Sequence, residues 1–311
     1  MSHKIIKISP LVLAAAAAGF SSQAYSSGFA LIEQGASGQG VAYAGAAAVG
    51  EDASTIFFNP AAMTRLSGQQ IVFAGHIVAP TYDFTNEGSY TAAGPTDPLS
   101  GANSGGGQTA FVPNLYWAAK LDNDLHVGVG VNVPFGLSTE YDNGWVGRYH
   151  GLKAEITTIN INPSIAWKAT DSVSLGFGLS YQYIDVEITN NLDSAYFCGA
   201  ATRVNPAADC SAYTALGNAA QDSALGLTGD DSSIGWNVGV LFDISDKSRL
   251  GLAYRSAIKH DIEGTASYTL DSALATAVAG TPFLSTTSLT AGAELPETFS
   301  ASFVHDYNER W

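Results

Sequence analysis

The chain has 311 residues, of which 46% are hydrophobic and only 13% charged, and its formal charge is −15. So acidic a chain does not seek nucleic acid, and its charged share is about half that of an ordinary soluble domain. Thirty-three glycines, 14 tyrosines and 14 phenylalanines suit a β-barrel with a lipid-facing outside.

The first predicted element is a leader over residues 1–26. His3, Lys4 and Lys7 precede an apolar run from Ile8 to Ala18, and small residues follow around Ala24-Tyr25-Ser26. Basic, apolar, then small-x-small is the layout of a secretory signal peptide. A membrane anchor needs about 20 apolar residues, and this run is shorter. Removing the leader takes Lys4 and Lys7 away, so the charge moves from −15 to −17. No later apolar run is long enough for a helical span.

Residues 27–67 follow. They carry glycines at 28, 35, 38, 40, 45 and 50, many alanines and no sustained alternation. Irregular backbone at membrane depth must be shielded by protein, so this stretch is expected to be a hatch folded inside a barrel. A disordered arm is the alternative, but the segment is too apolar and uncharged for one. Within it, "DASTIFFNPAAM" (52–63) places Asn59 as an N-cap and Pro60 at the first helical position. Gly68 supplies a stop. A short helical knob is predicted there.

Residues 68–311 read as an all-β wall, a transmembrane antiparallel β-barrel. Eight strand-like stretches fall near 69–84, 108–121, 125–138, 154–169, 172–189, 233–245, 249–268 and 295–305. In "SVSLGFGLSYQY", Val173, Leu175, Phe177, Leu179, Tyr181 and Tyr183 alternate with small or polar residues. The second face is glycine, serine, alanine and asparagine rather than charge, which fits a barrel interior better than the surface of a secreted sandwich. In "RLGLAYRSAIKH", Leu250, Leu252, Tyr254 and Ile258 take the apolar face, and Arg255 and Lys259 take the other.

Connections alternate in length. Those near 85–107, 139–153, 190–232 and 269–294 are long, and those at 122–124, 169–172 and 245–248 are tight. Long loops outside and short turns in the periplasm is the outer-membrane arrangement. After the eighth strand, "DYNERW" stands where a turn should lead to another strand, and His305 and Glu309 interrupt the alternation behind Trp311. A lumen wide enough for a hatch needs more than eight strands. The sequence therefore reads as a C-terminally incomplete piece of a larger barrel.

Cys198 and Cys210 share the 190–232 loop and, in an exported chain, are expected to form a disulfide that adds about 3 kcal/mol of restraint. The histidines are scattered, no metal or cofactor motif is present, and "GANSGGGQ" lacks the Walker spacing. A lipid hydrolase would have to use His76 or His126, and no G-x-S-x-G supports it.

Gly28-Phe29, Glu33, Ser37-Gly38, Gly40, Ala42-Tyr43, Gly45, Asp52-Ala53 and Asn59-Pro60-Ala61 resemble the hatch of the FadL/TodX family of outer-membrane transporters. "WVGRY" (145–149), "NINPSIAW" (160–167), "GWNVGVLFDISDKSRLGLAYRS" (235–256) and "LPETFSASF" (295–303) extend the resemblance. It implies a monomeric fourteen-stranded barrel in the outer membrane of a Gram-negative cell. The implied cargo is hydrophobic, long-chain fatty acids or aromatic hydrocarbons, leaving sideways through a gap in the wall. Outer-membrane lipid, lipopolysaccharide and the barrel-assembly machinery are the implied partners. No enzyme activity and no cofactor are implied, and a general porin would need an open, charged lumen instead.

On that pattern Phe29, Leu31 and Ile32 help close the binding pocket. Asn59, Pro60 and Ala61 hold the hatch together, with gating as a second role. Arg255 either holds a carboxylate or pairs with an acid of the hatch, and Lys259 follows it. Arg148 is expected to be a rim charge. Where the fatty-acid-carrying members place a basic residue near the end of the fifth strand, this chain has Asp185, which speaks against a carboxylate cargo.

Overall fold

The computed structural model describes residues 28–122 and 124–307; the leader, Glu309 and Trp311 lie outside them. In chain order the strands are β1 (Gln69–Val78), β2 (Asp83–Phe84), β3 (Ser104–Gly105), β4 (Ala110–Lys120), β5 (Leu125–Asn132), β6 (Gly136–Glu140) and β7 (Lys153–Thr170). Then come β8 (Val173–Leu192), β9 (Ser223–Ser245), β10 (Ser248–Arg255), β11 (Ile258–Thr269), β12 (Thr287–Leu295) and β13 (Thr298–His305). One curled antiparallel sheet runs β1-β4-β5-β7-β8-β9-β10-β13. β6 continues β5 along β7, while β11 and β12 continue β10 and β13. The wall thus has eight strand positions, three of them broken in two, and β2 with β3 forms a separate hairpin.

The alternation has its expected cause. On β8, Leu175, Phe177, Leu179 and Tyr181 are exposed on the outside, while Ser174, Ser180 and Gln182 are buried on the inside. A spanning strand needs about 9–11 residues, whereas β7, β8 and β9 have 18, 20 and 23. Their upper halves therefore stand above the hydrocarbon. For this reason the sixth and eighth stretches begin at Ser223 and Thr287, well before the predicted 233 and 295. Above the membrane nothing demands an apolar face, so "SALGLTGDDS" (223–232) carries no alternation to read.

Breaks account for the other corrections. The first stretch ends at Val78, just before Pro80. The third is interrupted at Pro134 and the eighth at Pro296, because proline has no N–H for a ladder. Between β10 and β11 the pairing with β9 slips by one residue, from Arg255↔Asn237 to Glu263↔Asp230. A one-residue slip exchanges the faces of a strand. Ile258, expected to face lipid, is buried inside, and Lys259 points outward to Glu294 at 3.6 Å.

The N-terminal segment packs against the inner face through α1 (Ala36–Gln39), α2 (Ala46–Val49), α3 (Thr55–Phe58) and a 3-10 helix at Pro60–Arg65. Ala53, Ile56, Met63 and Leu66 form one buried cluster with Tyr116, Ala118 and Ala166 of the wall. Glycines make the seat. A methyl group on Gly239 would overlap the Asn59 side chain, and one on Gly176 would overlap the backbone of Ala61. The predicted knob is present as a 3-10 turn, capped by Asn59 Oδ1 accepting from the Ala61 N–H at 3.0 Å.

Outside, α4 (Ser194–Ala201) and α5 (Ser272–Val278) enclose a small apolar core with Cys198, Leu274 and Val278 at its centre. The Cys198–Cys210 disulfide closes one side of it. Arg148 is no rim charge. It is fully buried, donating from Nε to Asp222 at 2.6 Å, from Nη1 to the Ser100 carbonyl at 2.8 Å and from Nη2 to the Gly217 carbonyl at 2.8 Å. Burial alone would lower its pKa, but Asp222 and Tyr149 together raise it. Three extracellular loops are joined through this one guanidinium.

Candidate functional site: a lumenal cavity and a break in the wall

β5 pairs with β7 up to Asn132↔Asn160, and β6 resumes at Gly136↔Thr157. Between them, Phe135 loses its ladder partner. The Thr158 hydroxyl substitutes, accepting from the Phe135 N–H at 3.1 Å and donating to its carbonyl at 2.7 Å. On the other side, β4 pairs with β5 only from Leu115↔Val131 downward. Above the break, Gly107 bridges to Thr139. The wall is therefore open between Ala110–Asn114 and residues 133–138.

The start of the hatch fills the inner side of this opening. The Leu31 N–H donates to the Pro134 carbonyl at 2.9 Å, and the Gly136 N–H donates to the Phe29 carbonyl at 3.0 Å. Gln34 donates to the Val133 carbonyl at 2.9 Å, and Asn114 donates to the Glu33 carbonyl at 2.9 Å. The Phe29 ring lies 5.6 Å from that of Phe135. The backbone groups of Val133–Gly136 that the break releases thus have partners in the hatch, in Asn114 and in Thr158, as a membrane-depth opening demands.

Two cavities meet here and share Ala30 and Leu31. The lumenal one, about 550 Å³, is lined by Leu31, Ile32, Tyr43, Phe57, Phe58 and Phe135 among others. The second, about 500 Å³, lies in the wall opening against Phe29, Phe111, Val131 and Ile159. Both fall in the usual size range of ligand pockets, roughly 300–1,000 Å³.

Arg255 enters the lumenal cavity from the wall. The expectation that it pairs with an acid of the hatch is not met. Its Nη2 donates to the Phe57 carbonyl at 2.9 Å, its Nη1 donates to Ser180 at 3.2 Å, and its guanidinium lies 4.5 Å from the Phe57 ring centre. No carboxylate pairs with it among the described residues. Directly opposite on β9 is Asn237, whose Oδ1 accepts from Asn162 at 2.9 Å. The buried Asn237 Nδ2 is a donor without a partner among the described residues. A cation and a free amide donor at the edge of an apolar cavity suit an anionic head group.

The remaining expected residues separate. Pro60 lines the lumenal cavity, while Ala61 is buried against the wall. Asn59 is fully buried and donates to the carbonyls of Ala47 at 2.6 Å and Val240 at 3.2 Å, so it ties hatch to wall. Lys259 is outside the lumen. Asp185, opposite Asp230 and Thr157, also lies on the outer face and meets no lumenal ligand. His126 Nε2 sits 3.1 Å from the Leu66 carbonyl and His76 has no partner among the described residues, so neither forms a serine pair there. Asn114, Pro134, Thr158 and Asn237 were not anticipated. Pro134, inside an otherwise alternating run, is the one with a sequence signal.

A family model described as outer membrane protein transport protein (OMPP1/FadL/TodX) matches residues 17–311. A long-chain fatty acid transport protein of Escherichia coli O6:H1 is 30% identical over 265 residues, which cover 85% of this chain and 57% of the relative. Outer membrane protein P1 of Haemophilus influenzae is 30% identical over 251 residues, 75% of this chain and 54% of the relative. The chain thus spans little more than half the length of these relatives. A Pseudomonas aeruginosa FadL homologue of known structure superposes with a TM-score of 0.68 at 25% identity, covering 90% of this chain and 67% of that one. The monoaromatic hydrocarbon channel CymD shares the fold, with a TM-score of 0.57 at 18% identity over 90% of this chain and 67% of that one. The chain belongs to the OMPP1/FadL/TodX family of outer-membrane transport proteins.

Proposed function

We propose that the protein takes up hydrophobic molecules passively, that long-chain fatty acids are its cargo, and that cargo leaves sideways into the membrane. In this reading the extracellular loops capture cargo, the lumenal cavity holds it and the hatch gates its exit. Residues 27–67 act as the hatch and 68–311 as wall. The observation that carries the reading is the pair of cavities meeting at Ala30 and Leu31, one in the lumen and one in the broken wall. Burial of each methylene contributes roughly 0.8 kcal/mol, so an apolar tail binds without chemistry. Arg255 and the free Asn237 amide favour a carboxylate at one end of that tail. Asp185, turned to the outer face, does not oppose it.

The second reading is a neutral aromatic cargo, favoured by the Phe57 ring that already covers the Arg255 guanidinium. Cells with and without the full-length protein, offered labelled oleate, toluene and a small sugar in parallel, separate the two. Protein-dependent oleate uptake is expected. Dependence for toluene alone selects the aromatic reading, and sugar uptake removes both.

A further inference from the structure

We infer that the cavity in the wall opening is a binding site for an acyl chain of lipid A, the lipid of the outer leaflet. The inference rests on the opening itself, and the reading of the cargo can fail without it.

Three observations carry it. First, the cavity straddles the wall and is continuous with the membrane face. Phe111, Val131 and Ile159 come to it from the outside of β4, β5 and β7, and Leu115 and Ile161 continue the exposed apolar surface beneath. A hydrocarbon chain already in the membrane needs no passage through water to enter.

Second, the height fits. Ile159 stands directly opposite Tyr183, next to Tyr181 on the same outer face. Outward tyrosines mark the level where hydrocarbon gives way to head groups. Two pairs further up that face, Glu155 stands opposite Glu187. Lys153 Nζ lies 2.6 Å from each of these carboxylates, forming a charged layer that belongs above the hydrocarbon.

Third, the cavity changes character along the strand direction in the same sense as the leaflet. Its lower end is Phe111, Pro113, Val131 and Ile159; its upper end is Tyr82, Gln108, Ser138 and Glu155. The upper end offers hydroxyl and amide groups and the Lys153-paired Glu155 carboxylate, which can hydrogen-bond a sugar head group, and the lower end is mainly apolar. The lumenal cavity has no such gradient and carries Arg255 instead. A tail seated in the opening seals the wall while the hatch is closed, and departing cargo displaces it.

Native mass spectrometry of the full-length protein, extracted from outer membranes in mild detergent with no cargo added, tests the site. A lipid A adduct is expected on the natural protein. Val131→Trp, which fills the cavity from outside, is expected to lower its retention at least tenfold. Ile165→Trp, on the same outer surface but away from the opening, is expected to keep it. If Val131→Trp does not assemble, judged by heat-resistant migration on a gel, Thr157→Trp is read in its place. Phospholipid alone, no lipid, full retention in the filled variant, or equal loss in Ile165→Trp would each overturn the inference.

Discussion

At Arg255 the lumen carries a charge whose partners are a carbonyl, a hydroxyl and an aromatic face. A carboxylate that replaced the hydroxyl would gain a charge-assisted bond, and bonds of that kind contribute about 1.5–3 kcal/mol. Arg255→Ala should therefore weaken oleate binding by roughly 10–100-fold and leave toluene binding within about twofold, measured by titration of the purified full-length protein. Arg255→Lys should recover part of the loss. An equal loss for both ligands would show that the arginine only holds Phe57 in place. The sequence made this residue legible because it stands on the small-residue side of an alternating run. The same rule misplaced Lys259, four positions on. A bulge between Arg255 and Ile258 inverts the faces, and Ser256-Ala257 carries neither glycine nor proline to announce it. Asp185 misled for another reason. Alignment gives a position along a strand, while its side of the wall depends on register.

At the scale of elements, the hatch start and the third wall strand behave as two halves of one joint. Ala30 and Phe135 form an antiparallel bridge, and residues facing each other in such a pair lie about 4.5–5.5 Å apart at Cα, a spacing that accepts a disulfide. With Ala30→Cys and Phe135→Cys in a background lacking Cys198 and Cys210, oxidation should lower hydrophobic uptake at least tenfold and reductant should restore it. Unchanged uptake in the cross-linked protein would mean that cargo does not use this joint. Pro134 was available to the eye as a break in alternation, but the four hydrogen bonds filling the gap come from residues about a hundred positions away. No local pattern encodes them.

The extracellular element carries its own pH dependence. The Tyr213 hydroxyl donates to Asp271 at 2.5 Å across the α4–α5 core. Burial first, and that carboxylate second, push Tyr213 up from 10.0 to about 12, while the same bond holds Asp271 below its usual value. A tyrosine raised in the folded state stabilises fully below its unfolded value and stops doing so as pH rises through the folded one. A depressed carboxylate stabilises above its unfolded value and fails as pH falls through its folded one. The contact should thus persist from the ordinary carboxylate range up to about pH 10 and be lost towards pH 12. Absorbance titration should show a late tyrosine that disappears in Tyr213→Phe; a titration curve unchanged by that substitution would refute the assignment.

For the whole molecule the question is whether hatch and wall are one cooperative unit or two. Their contacts divide in sequence. Ala53, Ile56, Met63 and Leu66 are buried with wall side chains, and Asn59 bonds to a wall carbonyl. Residues 28–50 mainly close the opening, line the lumenal cavity and lay α2 against Gly251 and Ser302. Wall register is set by strand pairing and by the alternation of faces, and neither involves those residues. Deleting 28–50 from the full-length protein should therefore leave assembly intact, seen as retained heat-resistant migration on a gel. It should abolish the selectivity of uptake, because both cavities lose their shared floor at Ala30 and Leu31. Small hydrophilic solutes should then enter faster than through the natural protein. If the deleted form loses heat-resistant migration, the hatch is part of the folding unit, and the apparent division between buried anchor and free gate does not describe how the molecule is built.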